Sequence, residues 1–379
     1  MESSARVRRR RPRRIRGILL LASTLVVLVA AGVALWWALS SSARAPQVGP
    51  SASPTASSTP SATVLSPAEA LLATTEDPNA CAVEFTGDGV SDAPQLQFQD
   101  TRYEALPIPA RDGLVFGGWY PTADAAAALD ASVRVNGAEL VACTDRHLVL
   151  HAGWTTPADL AAADVGVPIL MYHQFTTNPA GEDVPLKLNF IYTADFDAQM
   201  AYLAETGFYF PTWDELSAFI DGRLWLPERS VIVTDDDADR TWLELGVPIV
   251  DAHGVLTTSF VITKWRSEPT PSRYVLQRSH THDMHDPGAN GQGRMVNWSA
   301  AEIAADMETS AQILGAKEVM AYPFGHYDDT AKQGLRDAGY ELARTIEQGY
   351  VHVGTDKLAL PCIRVNYGTT LEQFIAAVG

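Results

Sequence analysis

"VIVTDDDADR", Val231–Arg240, sets a β-prone run directly before three consecutive aspartates, with a fourth after one alanine. Adjacent carboxylates repel, and the repulsion costs stability unless a proton or a cation relieves it. The cluster is either a solvated turn or the seat of something positive, and its place in the fold decides which. From 165 onward strand-like and helix-like runs alternate: "VPILMYHQF", then the helical "TADFDAQMAYLAETGF" and "TWDELSAFIDG", then "SVIVTDDD", "PIVDAHGV" and "TTSFVIT". "SAAEIAADMETSAQILG" follows with a capping box from Ser299 to Glu302, then the strand "VMAYPFG" and the helices "DDTAKQGLRDAGY" and "LEQFIAAV". Such alternation predicts an α/β fold with a parallel sheet or barrel. Chemistry in these folds collects at the C-terminal ends of the strands, which is where Asp235, Asp236 and Asp237 follow "SVIV".

Other strand ends deliver His173 after "ILMY", His280 and its neighbours after "YVLQRS", and Tyr322 to His326 in "YPFGHY". Imidazole nitrogen mixed with carboxylate oxygen suits Zn²⁺ or Fe²⁺, with positions left open for water and substrate. "SHTHDMH" offers His280, His282 and His285. His253 and His352 read as surface or helix-end residues and Asp239 as a solvated turn. His326 is a loop residue that could line the cleft, and Trp298 is either a sugar platform or a helix-start residue.

The blocks "VPILMYHQF", "LPERSVIVTDDDADR", "PIVDAHGVLTTSFVIT", "RSHTHDMH" and "AYPFGHYDDTAKQGLRDAGYELA" resemble, in order and spacing, those of the polysaccharide deacetylases. The resemblance covers 165–379 and is strongest to the subgroup that de-N-acetylates exported glucosamine polymers. It implies a distorted (β/α) barrel and a metal-dependent hydrolase that removes N-acetyl groups from cell-surface or cell-wall glycan. It further implies Asp236 as general base, Asp237, His280 and His285 as metal ligands, and His173 as general acid. The backbone N–H of Phe324 would help hold the oxyanion. The implied cofactor is a divalent ion, Zn²⁺ first, with Fe, Ni or Co as alternatives. Such an ion polarises the acetyl carbonyl and lowers the pKa of water, and an imidazole suits protonation of the departing amine.

The chain departs from the family pattern at four places. Asp235 replaces a phenylalanine, and Ala238 replaces a glycine, so an unusual turn is expected after the strand. Ala321 stands where many members carry the arginine that orients the base, and "LPCIRV" contains no histidine. Two other readings stay open: a catalytically impaired glycan-binding or adhesive surface protein, and an esterase that removes O-acetyl groups.

The start of the chain points outside the cell. "MESSARVRRRRPRRIR" (1–16) carries eight Arg against one Glu, so with a net charge of -17 overall the remainder carries about -24. That balance argues against nucleic-acid binding by the folded part. Residues 17–39 hold no charge and, at about 1.5 Å per residue, span roughly 34 Å as a helix. They read as a transmembrane anchor with a cytoplasmic N-terminus, Trp36 and Trp37 lying at the outer interface; a cleaved signal peptide is the alternative. Either way the rest is exported. Residues 40–77 begin with a Ser/Thr/Pro-rich stretch that reads as a stalk.

Residues 78–155 alternate short β-like runs with turns and predict a small antiparallel domain. "GLVFGGWYPTADAA" followed by "LVLHAGW" resembles the internalin-type B-repeat, a β-grasp-like module. Trp119, Tyr120 and Trp154 read as its aromatic core rather than a glycan platform. Cys81 and Cys143 are the expected disulfide pair outside the cell.

Overall fold

The computed structural model describes residues 65–379; the basic tail, the apolar run 17–39 and most of the stalk lie outside them. No helix among the described residues is long and apolar enough to cross a membrane. The module is built on β1 (Ala80–Thr86), β2 (Gln95–Phe98), β3 (Val115–Tyr120) and β4 (His147–Thr155). Their order in the sheet is β2-β1-β4-β3. The outer pairs are antiparallel as expected, but the central pair β1–β4 is parallel, so the sheet is mixed. The long excursion through β3 and the helix Ala123–Ala128 supplies the crossover that a parallel pair needs. Cys81 and Cys143 are disulfide-bonded. Trp119 and Tyr120 are buried, while Trp154 is half-buried beneath the Arg111 guanidinium.

Two short strands, β5 (Ile169–Tyr172) and β6 (Gln174–Thr176), precede β7 (Phe190–Tyr192), which pairs with β6 alone. The remaining strands are β8 (Ile232–Asp237), β9 (Thr257–Val261), β10 (Val275–Ser279), β11 (Val319–Ala321), β12 (Leu342–Gln348) and β13 (Leu360–Arg364). Together with β5 these six close a barrel in the order β10-β11-β12-β13-β5-β8-β9. Every pairing in it is parallel. The expected helix–strand alternation is broken twice, since no helix joins β9 to β10 or β12 to β13. Neither β12 nor β13 stands out in the sequence. "LARTIEQ" mixes buried apolar positions with Arg, Glu and Gln, and β13 carries a proline.

Two layers hold the barrel. Leu170, Tyr172 and Val233 join Phe196, Trp242 and Val250 in a cluster between strands and helices. Ile169, Met171, Ile232, Phe260, Leu342 and Leu360 form the other, inside the barrel. Trp213, Leu216 and Phe219 of the helix Trp213–Ile220 join that inner cluster, and so do Phe116 and Trp119 of the module. A capping box from Thr212 to Glu215 starts this helix. The segment Arg223–Trp225 adds itself to β3: Phe116 N–H donates to the Arg223 carbonyl at 3.0 Å and Trp225 N–H to that of Phe116 at 2.8 Å. Arg134, fully buried, donates to the Trp225 carbonyl at 2.7 Å and pairs with Glu215 at 3.0 Å. Module and barrel thus share a core and a hydrogen-bonded seam.

Candidate active site

β8 runs through Asp237, so the three aspartates are the last residues of the strand and not a turn beyond it. Side chains alternate across a strand, and this sends Asp236 and Asp235 to opposite faces. Asp236 points into the barrel, where Arg344 from β12 ion-pairs with its Oδ1. The Arg344 guanidinium is fully buried, donates to the Thr345 carbonyl at 3.0 Å and lies 5.4 Å over the Phe260 ring. Burial alone would raise the Asp236 carboxyl; Arg344, then His173 and His280, outweigh it and hold the group below its ordinary value. Ala321 therefore leaves no gap beside Asp236: Arg344, its register partner on the neighbouring strand, supplies the buried guanidinium.

Asp235 faces the helix layer beside its register partners Tyr172 and Ser259. The Ser259 hydroxyl donates to Oδ2 at 3.3 Å, and Oδ1 is buried without a hydrogen bond. Burial, with Asp236, Asp239 and Asp237 adding repulsion, raises the Asp235 carboxyl well above the usual range. Burial behind the site disfavours its ionised form, which eases the repulsion among three adjacent aspartates, while Asp236 is paired with Arg344 and Asp237 faces two histidines. The chain then turns through Asp237 and Ala238, both in the left-handed region at φ 75° and 50°. An alanine there costs roughly 1–2 kcal/mol relative to the preferred region, which is the unusual turn expected where a glycine is replaced.

Asp237 meets the two histidines. One ligand atom each from Asp237, His280 and His285 lies within 4.8 Å of the others. His280 Nδ1 faces the Ala321 carbonyl at 2.9 Å, and a carbonyl only accepts, so this nitrogen carries the proton. The unprotonated Nε2 then faces Asp237 Oδ1 at 3.5 Å, lone pair against lone pair. His285 Nε2 lies 3.2 Å from the same oxygen, yet that oxygen is buried without a well-directed hydrogen bond. Burial pushes the His280 imidazole down to about 4, so it stays neutral. The His280 lone pair facing an orphaned carboxylate oxygen is the arrangement a cation resolves, and a two-His, one-carboxylate set with open positions suits Zn²⁺.

His282 turns away: its Nδ1 sits 3.1 Å from the Thr263 hydroxyl. The loop that carries His285 is clamped from below by Asp306, whose two oxygens accept the backbone N–H groups of His282 at 2.8 Å and Asp283 at 2.7 Å. Asp306 lies on the helix Ala300–Leu314, opened by the expected Ser299/Glu302 capping box.

His173 completes the floor. Its Nε2 is 3.7 Å from Asp236 Oδ2, and burial lowers its imidazole below the ordinary value despite the pull of Asp236. Phe324 has φ 58°, and its ring lies 4.4 Å from that of His285. Trp265, exposed on the loop after β9, stands 5.9 Å from His285 on another side. His326 holds this wall by accepting the Gly293 N–H at 3.0 Å. Asp239 caps the next turn, accepting from Thr241 and Trp242 N–H at 2.7 and 2.9 Å. His253 pairs with Asp197 at the surface, and His352 is exposed. Trp298 is half-buried, with Arg294 5.8 Å over its ring. Arg344 and Asp306 are the residues that sequence reading missed. A lone arginine inside the apolar run "LARTI" was the available signal for the first.

Residues 225–343 match the family model described as polysaccharide deacetylase, and the chain carries a polysaccharide deacetylase domain. A poly-beta-1,6-N-acetyl-D-glucosamine N-deacetylase of Staphylococcus aureus (strain MRSA252) is 24% identical over 255 residues, 60% of this chain and 88% of that one. Among solved structures, the Streptococcus pyogenes deacetylase PplD in complex with acetate aligns at a TM-score of 0.49 and 21% identity, covering 57% of this chain and 99% of that one. IcaB from Ammonifex degensii aligns at 0.46 and 22%, covering 56% and 96%.

Proposed function

We propose that the chain is a metal-dependent hydrolase that removes N-acetyl groups from an N-acetylglucosamine-containing polysaccharide at the cell surface. The observation that carries this reading is the juxtaposition of an arginine-paired carboxylate, Asp236, with the Asp237, His280 and His285 donor set at one barrel mouth. Asp237, His280 and His285 would hold the ion. A divalent ion supplies Lewis-acid polarisation of the acetyl group and a lowered water pKa.

The chain's own groups do the rest. Asp236, kept ionised by Arg344, takes the proton from water as its oxygen bonds to the acetyl carbon. The N–H of Phe324 would donate to the oxygen that becomes negative. His173 gives a proton to the nitrogen as the C–N bond breaks, releasing acetate and an amine. Zn²⁺ as the native ion, the membrane anchor at 17–39 and an extracellular catalytic domain belong to the same proposal. They are supported by the donor set, by the uncharged run and by the Arg-rich flank before it.

The test is acetate release from N-acetylglucosamine polymers and from O-acetylated glycans, with and without chelator, alongside metal analysis. Bound metal is expected in the wild type and in Asp236→Asn, but not in Asp237→Ala or His280→Ala, with N-linked acetate released by the wild type alone. A metal-free protein indifferent to chelator would sink the proposal.

A further inference from the structure

A cavity of about 720 Å³ lies between the module and the barrel, beside the N-terminal ends of β10 and β11. Arg273 on its rim precedes His280 by seven residues along β10, so at about 3.3 Å per residue it stands on the order of 20 Å from the histidine cluster. None of Asp236, Asp237, His280, His285 or His173 lines the cavity, although its wall reaches Arg278, two residues before His280; its volume is that of a small-molecule site, which typically spans about 300–1,000 Å³.

One wall is the extended module segment 100–108. The Trp119 indole N–H anchors this segment to the Pro107 carbonyl at 2.8 Å, and the Arg102 Nε–H ties it to the Arg273 carbonyl. The segment presents Tyr103, Leu106 and Ile108, all half-buried. The barrel supplies the facing wall through Asp214, at the start of the helix Trp213–Ile220, and through Arg278, ion-paired with Glu318. Arg102 has no carboxylate partner among the described residues, although burial and the charge of Arg278 both disfavour its cation. Asp214 makes neither ion pair nor side-chain hydrogen bond among them, and its carboxyl is raised by burial and by Glu318 and Glu341.

Both signs of charge are interleaved around this space, so a ligand with net charge of either sign meets its like. A hydroxyl meets no such conflict, since it donates to a carboxylate and accepts from a guanidinium. The C–H face of a sugar ring suits an aromatic and aliphatic wall. We propose that this cavity is a second carbohydrate site, which takes a short uncharged pyranose oligosaccharide through Arg102 and Asp214. The proposal stands on the cavity's own groups and does not require the catalytic reading.

The experiment titrates full-length Asp236→Asn protein, which does not consume the probe, with a β-linked N-acetylglucosamine tetramer by calorimetry. The cationic glucosamine tetramer and decanoate, an anionic amphiphile, are run in parallel. Two binding events are expected for the N-acetylated tetramer, one of them weakened about tenfold or more by Arg102→Gln and by Asp214→Asn, because each removes a hydrogen bond to a charged group. In the wild-type background neither change should alter acetate release from a short substrate. Should Arg102→Gln fail to fold, the exposed Asp214→Asn decides alone. A single event insensitive to both variants, or decanoate binding without sugar binding, overturns the proposal. Loss of the cavity event in the variants of a protein that releases no acetate at all would sustain it while the catalytic reading failed.

Discussion

Asp236 and Arg344 form a buried ion pair, and each is costly without the other. Removing one partner of such a pair typically costs about 3–5 kcal/mol, because the remaining charge stays desolvated. Arg344→Met is therefore expected to lower the midpoint of thermal unfolding and to abolish turnover. Adding Asp236→Asn to it should restore much of the stability and none of the activity. Calorimetry and acetate release on the single and double variants check both halves. Asp236→Asn alone should lose about 10²–10⁴-fold in kcat while keeping its metal.

His173 gives the pH dependence its sign. Its folded pKa is lowered from 6.5 by burial, so the protonated form that an acid requires disappears as pH rises through a value below 6.5. kcat should fall on that limb, and His173→Gln should flatten it. The same shift favours the native state above the ordinary imidazole range, and this contribution is lost as pH falls through the folded pKa. A limb that survives in His173→Gln would move the role of acid to another group.

At the scale of elements, His280 and His285, the proposed metal ligands, depend on a helix that contributes none of the three candidate donors. Asp306 holds the loop 282–283 by two backbone hydrogen bonds, so Asp306→Ala should weaken metal affinity by about 10–100-fold, the effect typical of an outer partner of a ligand. Competition with a chelating dye measures this without recourse to activity. Asn, which keeps one acceptor oxygen, should recover part of the loss. The packing of that helix on Asp329–Asp337 leaves no room at Gly334, where an added Cβ would lie 2.6 Å from Ile303 and 2.9 Å from the Ala300 carbonyl. Gly334→Ala is expected to destabilise by about 1–3 kcal/mol in a denaturant titration.

What the sequence disclosed about these elements follows from the strength of their patterns. β5, β8, β9 and the capped helices were legible because apolar runs and capping boxes are local signals. β12 was not, because its polar half is a consequence of leaving the barrel and its arginine is explained only by an aspartate 108 positions away. Asp235 was equally opaque. The direction in which each of three consecutive aspartates points depends on where the strand ends, and β8 runs four residues past "SVIV", to Asp237.

For the whole molecule, the seam between module and barrel makes the two interdependent. Phe116 and Trp119 belong to the same cluster as Trp213 and Phe260, so loosening the module should be felt inside the barrel. The Cys81–Cys143 bond encloses a separation of 62 residues, and its loss typically costs about 2–5 kcal/mol. Reductant, or the paired change Cys81→Ala with Cys143→Ala, is expected to lower a single thermal transition shared by module and barrel. Two separated transitions in the scan would show the units to be independent.

The arginine paired with Asp236 sits on β12, while the position on β11 where the family resemblance leads one to expect an arginine holds Ala321. A survey that judges competence by residue identity at fixed alignment columns would file this chain among the inactive ones. The barrel makes the two addresses equivalent, because neighbouring parallel strands bring their ends to the same few ångströms of space. Degenerate copies of this domain are better recognised by asking whether any buried cation still faces the base than by asking which column supplies it.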